Sequence, residues 1–285
     1  MKPSVPSPPR KRPQPAGVRI HPTAIIEPGV RLGAGTRVWD SVHIRSGATI
    51  GEDCIIGEKT YIAYDVMIGN LVKINAMVYV CAGVTIEDMA MISAGTVFTN
   101  DRFPRAAIPE RAALITSEPT EQTLRTIVRR GTTIGANATI GPGLELGEFC
   151  MVGMGAVVTK SVRPFQLVVG CPARLHGWVC VCGEPLGDTL PSGPIACERC
   201  ARSYVMTDGI LQWQHGGRKT HAHSVSSWLV QAGLRAGRSA VRPATVSRRW
   251  RDEGARRPSD GTPRWGGPSD PASARRAPAG MSDHR

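Results

Sequence analysis

Aromatic residues are scarce in this chain, at 5% of 285 residues. Layered globular cores draw much of their buried area from such rings, so a thin interior of aliphatic side chains is the better expectation. No stretch approaches the roughly 20 apolar residues of a membrane span. The opening segment, MKPSVPSPPRKRPQPAG, holds no acid and no apolar run. A secretory signal needs an apolar run of roughly 7–15 residues, so a cytoplasmic location is expected. Histidine is missing between residues 60 and 130, which leaves a histidine base few places to stand.

The net charge of +12 is uneven. Residues 18–214 hold 17 basic and 18 acidic side chains, while residues 215–285 hold 14 basic and 5 acidic ones. A nucleic-acid partner is therefore not expected of the middle of the chain, and any such contact would fall to the basic tail. The segments 1–17 and 215–285 are too polar to bury a core and are expected to be disordered.

What is abundant is repetition. An aliphatic residue falls at every sixth position from Ile20 to Ile92, and a small or β-branched residue follows four places after each. Fixed periods of this kind mark repeat architectures. A period of six fits neither a helix nor a simple amphipathic strand. It fits an all-β fold, a parallel β-helix in which each hexad forms one short face. Three hexads make a triangular turn of eighteen residues, so Ile20, Val38, Ile56, Ile74 and Ile92 should stack. Corners fall on pairs such as Pro28-Gly29 and Ala82-Gly83, which tolerate tight backbone. The repeat stops after Phe98 and resumes at Val128. Nineteen hexads give an expected six turns or so, with an inserted loop over 99–127. Long insertions in compact repeats are commonly functional.

Hexads such as IGEDCI (50–55), IGANAT (134–139) and VGMGAV (152–157) resemble the hexapeptide-repeat acyltransferases. The resemblance implies a left-handed coil over residues 18–178, a homotrimer, and an acyl-CoA site between neighbouring coils. The segments IHPTA (20–24), VKIN (72–75), GVTIED (83–88), VFTNDRFPRA (97–106) and VVGCPARLHGW (168–178) are similar to one branch in particular. Its members are UDP-linked 3-amino-sugar N-acetyltransferases of bacterial surface polysaccharide synthesis. The expected function is thus acetyl-CoA-dependent N-acetylation of a nucleotide-linked, UDP-type amino sugar. A same-fold O-acetyltransferase and a non-enzymatic β-helical scaffold are the alternatives. A metal-dependent carbonic anhydrase needs three converging histidines, and His21 and His43 do not stack.

Acetyl transfer needs a neutral amine at the thioester carbonyl, a donor for the oxyanion and an exit for a proton. Asn100 opens the inserted loop and is the first candidate for orienting the amine; the bland alternative is a cap for the turn. Glu87 is the second catalytic candidate, and Asp88 beside it a substrate-binding one; both could equally be solvated corner acids. Arg102 and Arg105 suit a diphosphate or carboxylate, or merely anchor the loop. Trp39 could stack a nucleobase or lie at a subunit contact, and Asn75 faces outward by register. For CoA, the resemblance points to Gly155, Ala156, Lys160 and Arg163, with Arg174 a further candidate. Cys171 stands where the family commonly has Asn.

Cys54 and Cys150 occupy small inward positions and read as packing. Cys180, Cys182, Cys197 and Cys200 form a CxC–x14–CxxC pattern. Each pair is short enough to present two thiolates to one tetrahedral ion, and reduced clustered cysteines suggest metal before disulfide. Residues 179–214 are therefore expected to form a zinc ribbon with a structural ion.

Overall fold

The computed structural model describes residues 15–108, 113–115, 118–189 and 193–214. The expected disorder of residues 1–14 and 215–285 lies outside them. The described residues are all-β, with no helix among them.

The chain coils as a parallel β-solenoid of about eight turns. Two-residue strands stack into three faces. The first face runs from Arg19–Ile20 through Arg37–Val38, Ile55–Ile56, Lys73–Ile74 and Met91–Ile92 to Thr133–Ile134, Met151–Val152 and Gln166–Val169. The second starts at Ile25–Ile26 and ends at Val157–Val158; the third starts at Arg31–Leu32 and ends at Glu145–Leu146. Partners are eighteen residues apart, as Ile20↔Val38 and Ile56↔Ile74 show. The six turns expected from the hexads fall short because the stack gains rungs outside the strict repeat. Phe98 is fully buried as an inward residue, Val162 bridges Leu146, and Val168 pairs with Val152.

Packing explains the period. In each hexad the second strand residue points inward, so the interior is a column of mostly Ile and Val, at most 3% exposed from Val38 to Val158. Each turn buries this surface only against its neighbours. Threonine in the small inward position keeps its hydroxyl satisfied: Thr36, Thr60 and Thr132 donate to the Gly51, Asn75 and Gly147 carbonyls at 2.8, 3.0 and 3.0 Å. Cys54 and Cys150 sit in the same inward series, 0% and 1% exposed. Corner glycines Gly29 and Gly83 adopt φ of 86° and 84°, a region open to glycine and costly for other residues.

Across the insertion the register steps from 18 residues (Lys73↔Met91) to 42 (Met91↔Thr133), an addition of 24. The coil resumes two residues before Val128, since Val84 already pairs with Thr126. The insertion carries an antiparallel pair, Ala107–Ile108 with Ala113–Leu114.

At the far end the first-face sheet does not stop at residue 178. Arg174–Val179 turns back antiparallel on Gln166–Val169, and Pro185–Gly187 adds to it. A separate three-stranded antiparallel sheet follows: Ile195–Ala196, Ser203–Thr207 and Ile210–Gln214. It packs on the last turn through Phe165, whose ring stacks on Phe149 and meets the Tyr204 ring edge-on at 5.5 Å.

Candidate functional site

The three corners of the coil sort the expected site residues. Trp39, Asn75, Gly155 and Ala156 follow first-face strands. Asn100 and Lys160 follow second-face strands. Glu87, Asp88 and Arg163 stand where the third face ends. Within one chain, therefore, Asn100 and Glu87 do not share a corner.

Asn100 marks where the insertion leaves the coil. Its Nδ2 donates to the Ala82 carbonyl at 3.3 Å, and its own carbonyl accepts from the Leu124 N–H at 3.3 Å. It thus clasps the two ends of the insertion. The second-face register, Val97↔Thr139↔Val157, places Asn100, Pro142 and exposed Lys160 along one edge. Cys81, the residue before Ala82, is buried, and burial pushes its thiol up to about 12, so it is no nucleophile at neutral pH. Arg102 is exposed on the insertion, and exposed Arg105 bonds the neighbouring Pro104 carbonyl at 3.0 Å.

Two sets of expected site residues are engaged within the coil. Glu87 is not a free acid. Its Oε1 accepts from Arg129 at 2.8 Å and its Oε2 from the Arg130 N–H at 3.0 Å, with the side chain 11% exposed. Arg129 continues the chain to Glu145 at 2.8 Å. Glu87 therefore ties the turn before the insertion to the turn after it, and both its oxygens are occupied. Asp88 is likewise engaged, accepting from the Asn70 N–H at 2.7 Å. The second set is Gly155 and Ala156, expected near CoA. Gly155 N–H donates to Ala136 and Ala156 N–H to Gly153 within the coil, and the Ala156 side chain is fully buried. Neither amide is free for a ligand. What Gly155 offers is room, since a Cβ there would meet nothing within 4 Å.

Arg163 extends to the ribbon, donating to the Gly209 carbonyl at 3.2 Å. Arg174 is exposed and bonds the adjacent Ala173 carbonyl.

The first corner holds a cavity of about 450 Å³ between Trp39 and Asn75, with Gly57 between them and Glu58 and Lys73 on its walls. Trp39 is 51% exposed. Lys73 and Glu58 were not singled out from the sequence. The eighteen-residue column Trp39–Gly57–Asn75 is the signal that could have found them, because a glycine between two large corner residues leaves a notch.

A second polar cluster lies on the early turns. Glu27 forms an ion pair with Arg45 at 2.6 Å, accepts from the Ser46 N–H at 2.9 Å, and pairs with His43 Nε2 at 3.0 Å. Tyr61 accepts from Arg45 at 2.8 Å and stacks on Tyr79. The Ser46 N–H, followed by His43 and Arg45, holds the Glu27 carboxyl below its ordinary value.

In the ribbon, the Sγ atoms of Cys180, Cys182, Cys197 and Cys200 lie within 4.8 Å of one another, and all are free thiols. No helix among the described residues is long and apolar enough to cross a membrane.

Two family models match: bacterial transferase hexapeptide over residues 31–64, and the hexapeptide repeat of succinyl-transferase over 126–160. Both matches fall on the coil, so these two stretches are similar to hexapeptide-repeat transferases, in keeping with the parallel β-solenoid they fold into. Among individual relatives, a dTDP-3-amino-3,6-dideoxy-alpha-D-galactopyranose 3-N-acetyltransferase from Aneurinibacillus thermoaerophilus is 41% identical over 87 residues, 30% of this chain and 44% of that one. A serine acetyltransferase from Buchnera aphidicola is 45% identical over 49 residues, 17% of this chain and 19% of that one. The chain thus spans less than half the length of these two curated relatives. Among solved structures, the N-acyltransferase AntD from Bacillus cereus, bound to dTDP and 3-hydroxybutyryl-CoA, aligns at 24% identity and a TM-score of 0.38, covering 56% of this chain and 78% of that one.

Proposed function

We propose that the protein is an acetyl-CoA-dependent N-acetyltransferase acting on a nucleotide-linked amino sugar. The carrying observation is the break in the coil. The insertion leaves at Asn100, on the same edge as Lys160, in a coil whose 41%-identical relative acetylates a dTDP-linked 3-amino sugar. Asn100 Oδ1 accepts a hydrogen bond from the sugar amine and aims its lone pair at the thioester carbonyl. The C–N bond forms, the C–S bond breaks, and the amine proton leaves with the CoA thiolate, so no dedicated base is required. Lys160 meets a CoA phosphate, and Arg102 and Arg105 meet the sugar diphosphate. Trp39 and Asn75 lie at another corner of the chain, so they join this site only if a neighbouring chain supplies that corner. A homotrimer has that property, and the base then stacks on Trp39. UDP is the nucleotide implied by the chain's own motifs and dTDP the one in the relative's name, so both belong in the test. The setting is a cytoplasmic step of surface polysaccharide synthesis. The transfer is separate from the zinc expected on Cys180, Cys182, Cys197 and Cys200, which lie beyond the last coil turn.

The test is thiol release from acetyl-CoA with a panel of UDP-, dTDP- and GDP-linked amino sugars. Turnover with one of them, lowered about 100-fold by Asn100→Ala without loss of fold, is the expected result. No turnover across the panel defeats the reading. A serine acetyltransferase among the relatives keeps a different acceptor in view. A hydroxyl acceptor would give an alkali-labile ester in place of an amide.

A further inference from the structure

We propose that Cys180, Cys182, Cys197 and Cys200 bind one Zn²⁺ as a closed tetrathiolate, and that this ion holds the ribbon on the last coil turn, with Tyr204 positioning one of its ligands. The proposal stands independently of the acyltransferase reading.

The geometry fits a single tetrahedral ion. Zn–S bonds of about 2.3 Å place sulfurs about 3.8 Å apart. Here Cys180 and Cys200 are 3.4 Å apart and Cys182 and Cys197 are 3.6 Å apart, so each knuckle faces the other. Both knuckles turn through left-handed residues, Gly183 at φ 87° and Ala201 at φ 57°. Local hydrogen bonds fix both: Gly183 N–H to the Cys180 carbonyl and Ala201 N–H to the Cys197 carbonyl, each 2.8 Å. Four thiolates fill a zinc coordination sphere, which makes the site structural.

A second layer surrounds the sulfurs. The Tyr204 hydroxyl accepts from the Val181 N–H at 3.0 Å, which leaves its own proton for Cys180 Sγ at 2.9 Å. Tyr204 is fully buried, so this hydroxyl has no water to compete for it. Groups that hydrogen-bond a ligand in this way set its orientation and the tenacity of the metal.

The ribbon also needs the ion. Its fully buried cluster is six residues, Phe165, Cys180, Ile195, Cys197, Tyr204 and Leu211, edged by partly buried side chains such as Trp178, Leu186, Met206 and Trp213. Two of these six are the cysteines themselves and one, Phe165, belongs to the coil end. A core this small does not hold a segment without a staple, and metal binding to such a segment is coupled to its folding.

The test uses the full chain purified without added metal. We expect one zinc per chain by elemental analysis, its release by a mercurial reagent, and thiolate-to-cobalt charge-transfer bands after exchange with Co²⁺. Hydrogen exchange over 195–214 should quicken on zinc removal while exchange in the coil does not. Cys197→Ser should lose the zinc and reproduce that pattern, with far-ultraviolet circular dichroism reporting that the coil survives. Tyr204→Phe should keep the zinc but lose it to a chelator about 10-fold faster. Fewer than one zinc per ten folded chains, iron in its place, or disulfides among these cysteines would each overturn the zinc assignment, and unchanged exchange after zinc removal would overturn the ion's role in holding the ribbon. An unchanged release rate in Tyr204→Phe would overturn the role given to that residue. Acetyltransferase turnover is not among the readouts, so failure here leaves that reading untouched.

Discussion

The coil buries its apolar surface one hexad at a time, each Ile or Val shared only with the turns above and below, from Val38 to Val158. The ribbon buries a handful of side chains around one point, and its sulfurs are part of that core. The first arrangement spreads stability along a line, approximately as a sum of nearest-neighbour terms. The second concentrates it. Damage in the coil should therefore propagate along the stack, and damage in the ribbon should stay local.

Ile74→Ala is the strongest way to break this contrast. Ile74 is fully buried in the first-face column, paired with Ile56 and Ile92. The substitution should cost about 2–5 kcal/mol, read as a lower denaturation midpoint of the coil. Should the ribbon's exchange rates change as much as the coil's, the two regions are one cooperative unit and the contrast fails.

Glu87→Ala should come next. It leaves Arg129 with Glu145 alone and removes the tie across the insertion, at a cost of about 1–2 kcal/mol. Added salt should not reproduce the loss, because the Glu87 carboxylate is nearly buried and screening acts mainly on exposed charge. If Glu87 were instead a catalytic acid, Glu87→Gln would abolish turnover without moving the denaturation midpoint.

The smallest effect concerns pH at the early turns. The folded-state pKa of Glu27 lies below its ordinary 4.5, held there first by the Ser46 N–H and then by His43 and Arg45. Its contribution is complete above 4.5 and fades as pH falls through the lower folded value. Thermal melts between pH 5 and pH 3, taken with and without Glu27→Gln, should show a shallower acid limb in the variant. Identical limbs would show that the cluster does not help hold the first turns.

The coil was legible because its period is its geometry: six residues per face leave one inward side chain, and a sequence states that directly. The insertion was legible as a failure of the period, although Thr126 rejoins the sheet two residues before Val128 does. The four cysteines were legible by spacing. What stayed hidden depended on partners far along the chain. Glu87 read as an open corner acid because Arg129 is 42 residues away across the break. Ala156 read as a CoA candidate by resemblance, while its backbone bonds to Gly153 and Thr139 follow from coil closure, not from motif. The Tyr204 bond to Cys180 spans 24 residues and joins a strand to a knuckle. Periodicity reports burial well and says little about which polar groups are already spoken for.

The 24 added residues equal four hexads, so the insertion leaves the reading phase of the coil intact. Inward residues before the break remain inward after it, and no face has to rotate to accommodate the arm. Its two ends meet at the Asn100–Leu124 hydrogen bond, close enough for a short linker to join them. The arm is thus a cassette spliced in frame. It can be exchanged or grafted in multiples of six residues without re-indexing the coil, so the arm is free to change while the scaffold stays constant.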